Sequence, residues 1–94
     1  MTADSTMLIR VHGRVQGVGY RAWMVRQAEK RGLHGWVRNR ADGTVEALVS
    51  GAAEAVREMI EACEQGPMLA KVLRVEQEAS AETAEPGFRQ KPTV

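Results

Sequence analysis

Residues 13–21 of this chain read GRVQGVGYR, a run that holds three glycines and ends in an arginine. Before the run, residues 7–12 alternate apolar and polar side chains, as a half-buried strand does. After it, Met24, Val25 and Ala28 share one side of a helical wheel. Glycine adopts positive φ values, so a turn of this kind lets backbone N–H groups converge beside the start of a helix. The run therefore predicts an anion-binding turn.

The glycine spacing excludes two nucleotide-binding loops. The loop of kinases and ATPases requires a lysine and a hydroxyl residue after its second glycine, and the dinucleotide fingerprint requires another glycine spacing. Arg21 stands where the helix begins, and its planar guanidinium can bind two oxygens of a phosphate or carboxylate at once. From the residues alone, an ordinary strand-to-helix connection with a tight turn remains an alternative interpretation.

Length and composition limit the class of protein. At 94 residues we expect a flexible tail of residues 1–6 and one domain of residues 7–94. Thirteen basic and twelve acidic residues give a net charge of +1, which offers no general attraction for nucleic acid or membranes. Cys63, His12 and His34 do not form a metal-ligand cluster of recognised spacing. A single cysteine and the absence of a secretory signal predict a cytoplasmic protein.

The remaining sequence predicts alternating strands and helices. Two alternating runs joined by residues 41–43, which contain Asp-Gly, are typical of a hairpin. The predicted elements are strand 7–12, helix 21–31, strands 33–40 and 44–50, helix 52–65, strand 71–78 and a short strand 88–91. This order predicts an α+β, ferredoxin-like βαββαβ sandwich, one antiparallel sheet with two helices on one face. Right-handed crossovers place the first and third strands in the middle of the sheet.

Asn39 lies near the end of the second predicted strand, between Arg38 and Arg40. From periodicity alone it is a turn residue, because an asparagine side chain hydrogen-bonds nearby backbone. The predicted fold places the end of the first strand and its loop close to this strand. From the residues alone, the turn interpretation of Asn39 is still preferred.

Two segments carry a family resemblance. Residues 13–21 and residues 35–46, which read GWVRNRADGTVE, resemble the two signature motifs of the acylphosphatases in full and in the same order. The resemblance continues through residues 66–72 and the segment around Phe88. Tyr20 is a mild variation, since many members carry Phe there. The resemblance implies hydrolysis of a carboxyl–phosphate mixed anhydride to carboxylate and inorganic phosphate, without metal or cofactor.

The resemblance also implies residue roles and partners. Arg21 and the loop amides would bind the phosphoryl group, and the Asn39 side chain would hold the attacking water. The implied phosphate-binding residues are Gln16, Gly17, Val18, Gly19, Tyr20 and Arg21, and the implied catalytic residues are Arg21 and Asn39. The expected substrate is a small acyl phosphate, the expected protein is a free-standing monomer, and neither nucleic acid nor membrane is an expected partner.

Positioning and electrostatic stabilisation carry most of the catalysis of phosphoryl transfer, which suits a site built from amides, a guanidinium and an amide side chain. A carboxylate leaving group, whose conjugate acid has a pKa of about 4, needs no strong general acid.

Two other functions stay open. A ferredoxin-like module could bind RNA or a small anion without turnover, but the chain has only one Phe and one Tyr, and the glycine loop would be unexplained. A regulatory domain of a larger carbamoyl-phosphate-using protein is the other.

Overall fold

The computed structural model describes residues 4–94 and contains two helices and five strands. In chain order the elements are β1 (Asp4–Arg14), α1 (Tyr20–Lys30), β2 (His34–Asn39), β3 (Val45–Ala52), α2 (Ala53–Cys63), β4 (Lys71–Ala79) and β5 (Phe88–Gln90). The predicted order of strands and helices is confirmed. In these residues no helix has the length and apolarity needed to cross a membrane.

The strands form one sheet in the order β4-β1-β3-β2-β5, with β1 and β3 in the interior as predicted. The pairs among β1 to β4 are antiparallel. The short β5 runs parallel to β2, with Gly35 opposite Phe88, so the complete sheet is mixed. This last pair depends on a connection that returns the chain from one edge of the sheet to the other. The α+β, ferredoxin-like architecture predicted from the element order is confirmed.

The first strand begins earlier than its predicted start at residue 7. Asp4, Ser5 and Thr6 pair with residues 52, 51 and 50 of β3, and the Thr6 and Ser50 hydroxyls are 2.7 Å apart. Residues 4–6, expected to belong to a tail, are thus part of the sheet, because β3 offers them a partner strand that their own polar pattern does not reveal. Residues 1–3 of the expected tail lie outside the described residues.

The core lies between the sheet and the two helices. Alternation along β1 and β3 turns every second side chain toward the helices. The residues buried there are Ile9 and Val11 of β1, Val45, Ala47 and Val49 of β3, Met24 and Ala28 of α1, and Val56, Met59, Ile60 and Cys63 of α2. Burying each valine, isoleucine or methionine side chain of this set contributes about 1.5–3 kcal/mol. The core thereby holds both helices on one face of the sheet.

Strand direction decides where a site can form. Both β1 and β2 run antiparallel to β3, so the C-terminal ends of β1 and β2 lie side by side at one end of the strands. The loop of residues 15–19 follows β1 at this end, and Asn39 is the last residue of β2 there. Val15 is fully buried in the core and ties the start of the loop to the domain.

Candidate active site

The loop between β1 and α1 turns on two glycines. Gly17 has φ 74° and Gly19 has φ 79°, values in the left-handed region that side chains disfavour. A Cβ atom added at either position would meet no atom within 4 Å. Backbone conformation, and not lack of space, therefore requires glycine at both positions.

This turn leaves a row of backbone donors free. Within residues 4–94, the N–H groups of residues 16–22 donate to no backbone carbonyl, and the first such bond of the helix runs from Trp23 N to Gly19 O at 3.0 Å. Helix α1 has no side-chain cap and no acidic residue in its first turn. The positive end of the helix dipole is thus uncompensated, which is the arrangement that binds an anion.

Gln16 joins this loop to the β2–β3 hairpin. Its side-chain Nε2 donates to the carbonyl of Arg40 at 2.8 Å and to that of Thr44 at 3.0 Å. The family resemblance implies a role for the backbone amide of Gln16, and the structure adds this side-chain contact. The side chain fixes the distance between the loop and the end of β2.

Asn39 faces the loop from the end of β2. Its side-chain Oδ1 is buried and has no hydrogen-bond partner among residues 4–94. The backbone carbonyl of Asn39 accepts a bond from Val94 N at 3.2 Å, and Ala41 N donates to the carbonyl of Val94 at 2.8 Å. Val94 therefore holds the backbone on both sides of Arg40, while Asn39 Oδ1 stays without a partner in the described residues.

The loop, the helix start and Asn39 enclose one cavity of about 150 Å³. Its lining residues are Val15, Gln16, Gly17, Gly19, Tyr20, Arg21, Ala22, Asn39 and Gln90. This set includes the predicted site residues except Val18, which is half-buried and packs against the core. Gln90 was not predicted, because nothing near it in the sequence marks a site; only the parallel pairing of β5 with β2 brings it here.

Arg21 supplies the positive charge of the cavity. It is half-buried on the first turn of α1, and within the described residues it forms no ion pair with a carboxylate. A guanidinium without a partner, beside free amides, favours binding of a phosphate or carboxylate.

Tyr20 contributes its backbone to the loop and its side chain to the core. Tyr20 is 2% exposed, and its hydroxyl donates to the carbonyl of Cys63 at 2.5 Å, which joins the start of α1 to the end of α2. Burial raises the pKa of Tyr20 well above its ordinary value, so the hydroxyl stays protonated. Burial also raises the pKa of the Cys63 thiol to about 12, which excludes a thiolate nucleophile there at neutral pH.

A larger cavity, of about 350 Å³, lies elsewhere, between β1, β3 and β4. Glu46, Glu76 and Glu78 line it together with a single arginine, Arg10. Arg10 is already bonded to Glu46, Glu76 and Glu78 add negative charge that repels a phosphate, and no glycine lines this cavity to offer free amides. Size alone therefore does not identify the site, and its chemistry favours the smaller cavity.

Comparison with known proteins agrees with this geometry. The family model described as acylphosphatase matches residues 7–90. An acylphosphatase of Azorhizobium caulinodans is 56% identical over 90 residues, which cover 95% of this chain and 97% of the relative. Among solved structures, an acylphosphatase from Coxiella burnetii superposes with a TM-score of 0.90 at 31% identity, covering 94% of this chain and 93% of that one.

A second solved structure gives the same result. The acylphosphatase from Bacillus subtilis superposes with a TM-score of 0.86 at 38% identity, covering 92% of this chain and 97% of that one. Family model, relatives and solved structures thus agree along almost the whole length of the sequence. The chain belongs to the acylphosphatase family.

Proposed function

We propose that this chain hydrolyses acyl phosphates by direct attack of water on phosphorus, in the cavity between the glycine loop and Asn39. The observation that carries the proposal is the pairing of free donors with a free acceptor. The amides of residues 16–22 and the Arg21 guanidinium offer positive charge, and Asn39 Oδ1 is a buried acceptor without a partner in the described chain. A bound phosphoryl group and a water molecule would satisfy both sets.

In this mechanism the loop amides and Arg21 bind the phosphoryl oxygens and stabilise the charge they carry in the transition state. Asn39 Oδ1 accepts a hydrogen bond from the water and directs its oxygen at phosphorus. The new P–O bond forms as the bond to the acyl oxygen breaks, and the carboxylate leaves with that electron pair. The proton of the water passes to a phosphoryl oxygen of the substrate, so no protein base is required.

The protein's charges are sufficient for this chemistry. The leaving carboxylate has a conjugate acid with a pKa of about 4 and departs without protonation. Arg21 and the helix start supply the positive potential that other phosphoryl-transfer enzymes take partly from a metal ion. We therefore include metal independence in the proposal.

Two further points belong to the proposal. One chain supplies every lining residue of the cavity, so a monomer suffices for activity. A cytoplasmic location agrees with the single, buried Cys63, which gives no reason to expect an oxidising compartment.

The test is release of phosphate from acetyl phosphate by purified protein in the presence of a chelator, with p-nitrophenyl phosphate as the monoester control. We expect turnover of the anhydride only. Arg21→Ala should lose roughly 100- to 1000-fold in turnover, as expected for removing a main stabiliser of transition-state charge, and should lose inhibition by phosphate. Arg26→Ala is the matched control, because it removes an exposed arginine from the same helix outside the cavity.

Absence of turnover by folded wild-type protein would contradict the proposal. It would favour a module that binds an anion or RNA without reaction. Loss of activity with chelator that added metal restores would contradict metal independence. Equal losses in Arg21→Ala and Arg26→Ala would exclude the role assigned to Arg21.

A further inference from the structure

The two arginines that flank Asn39 meet one carboxylate on the opposite face of the sheet. Arg38 Nε donates to Glu46 Oε1 at 2.8 Å, and Arg40 Nη1 donates to the same oxygen at 3.3 Å. Arg10, on β1, donates through Nη2 to Glu46 Oε2 at 3.2 Å. The Glu46 side chain is only 8% exposed, so three guanidinium groups replace its water.

The network formed by Glu46 with Arg10, Arg38 and Arg40 keeps the Glu46 carboxylate charged. Burial on its own would raise the pKa of Glu46, but hydrogen bonds from Arg38 and Arg10 outweigh it and lower the pKa below the ordinary value of 4.5. A buried ion pair adds little net stability compared with apolar packing, because desolvation cancels most of the attraction. Such a pair is therefore better explained by the geometry it imposes than by the stability it adds.

That geometry bears directly on Asn39. In the β2–β3 register, Arg38 lies opposite Glu46, and Asn39 lies opposite Val45. Because side chains alternate along a strand, the arginines on the Glu46 face leave the Asn39 side chain on the face of the glycine loop. Besides its backbone bonds within the hairpin, Arg40 has two side-chain contacts: Glu46 accepts from its guanidinium, and Gln16 Nε2 donates to its carbonyl.

We propose that Glu46 is a positioning residue for the hydrolysis: it holds Arg38 and Arg40 on one face of β2 and thereby fixes the direction of Asn39 on the other. The inference rests on the proposed role of Asn39. Glu46 does not line the cavity, so in this proposal it acts through the strand. A misplacement of about 1 Å in a positioning group costs on the order of 100-fold in rate, so a small rotation of the strand end is measurable.

The first test replaces Glu46 by glutamine, which keeps the volume and removes the charge. We expect kcat with acetyl phosphate to fall about 10-fold or more, while inhibition by phosphate changes by less than about 2-fold, because the loop and Arg21 are untouched. Glu76→Gln is the matched control. It removes a carboxylate that pairs with His12 on β1 and does not contact Arg38 or Arg40, so kcat should stay at the wild-type value.

The second test repeats Glu46→Gln in the Asn39→Ala background. If Glu46 acts through Asn39, the added substitution causes no further loss of kcat, since the group it positions is already absent. A general effect on folding would lower kcat by the same factor in both backgrounds. All variants are assayed at a temperature at which circular dichroism shows the wild-type spectrum.

The outcomes separate the two proposals. Near-native turnover by Asn39→Ala overturns the proposed role of Asn39. A loss in Asn39→Ala with native kcat in Glu46→Gln, or equal loss factors for Glu46→Gln in both backgrounds, overturns the positioning role. If Glu46→Gln does not fold, Arg40→Gln replaces it in both assays with the same expectations, because it cuts the contact between the carboxylate and the residue after Asn39.

Discussion

At the end of β2, the polar groups on the two faces of the sheet differ in whether they have hydrogen-bond partners. On the helix face, the loop amides and Asn39 Oδ1 have no partner within residues 4–94. On the other face, both oxygens of Glu46 accept from guanidinium groups, and among the described residues Arg10 Nε is the buried side-chain atom of this cluster that has no partner. Most buried polar groups in folded proteins have a hydrogen-bond partner, and a bound ligand or water is one explanation for a group that has none. The helix face, called the unsatisfied face because Asn39 Oδ1 and the loop amides lack partners, therefore carries the candidate site. The opposite face, called the satisfied face because Glu46 is paired, forms the frame, the contacts that hold the end of β2 in place.

Among the substitutions that test this comparison, Asn39→Ala on the unsatisfied face has the largest expected effect. Asn39→Ala should lower kcat by roughly 100-fold, because it removes the group that directs the water, and should leave phosphate binding intact. Its free energy of unfolding should stay equal or rise, because a buried acceptor without a partner is removed. Kinetics with acetyl phosphate and urea denaturation measure the two quantities. A clear drop in stability with unchanged kcat would show that Asn39 belongs to the frame instead.

A smaller effect is expected from the turn. Gly19→Ala should destabilise the fold by about 1–2 kcal/mol, because alanine is strained at φ 79°, and should weaken inhibition by phosphate about 10-fold as the amides move. Gly32→Ala is the control. Gly32 has φ 68° and equally open space at the other end of α1, so it should destabilise similarly without changing phosphate inhibition. Equal phosphate inhibition in both variants would argue against a role of the loop conformation in binding.

The smallest effect concerns the satisfied face and pH. The pKa of Glu46 is lower in the folded chain than its ordinary value of 4.5, so the folded state binds fewer protons. The stability that this carboxylate contributes is fully present above pH 4.5 and is lost as pH falls through the folded pKa. Between about pH 6 and about pH 3, wild type should lose more stability than Glu46→Gln, as measured by urea midpoints. Parallel curves would show that the network does not favour the charged form.

Much of the fold follows from local patterns. Alternation in residues 7–12 and 44–50, the Asp-Gly turn and the helical period after residue 52 predict the element order correctly. These signals extend over a few residues and therefore survive without tertiary context. The start of β1 was not predictable in this way, because Asp4, Ser5 and Thr6 become a strand only through their partners on β3.

The features of the candidate site can likewise be separated into those set by neighbouring residues and those set by contacts between distant elements. The sequence by itself determined the glycine turn, the placement of Arg21 at a helix start and the family motifs, because φ preferences and helix ends are properties of neighbouring residues. Only the tertiary structure decided that the Gln16 side chain bonds the hairpin, that Gln90 lines the cavity and that Glu46 holds both neighbours of Asn39. Those contacts join different elements of the fold. Their partners are set by strand order and register, which no local pattern specifies.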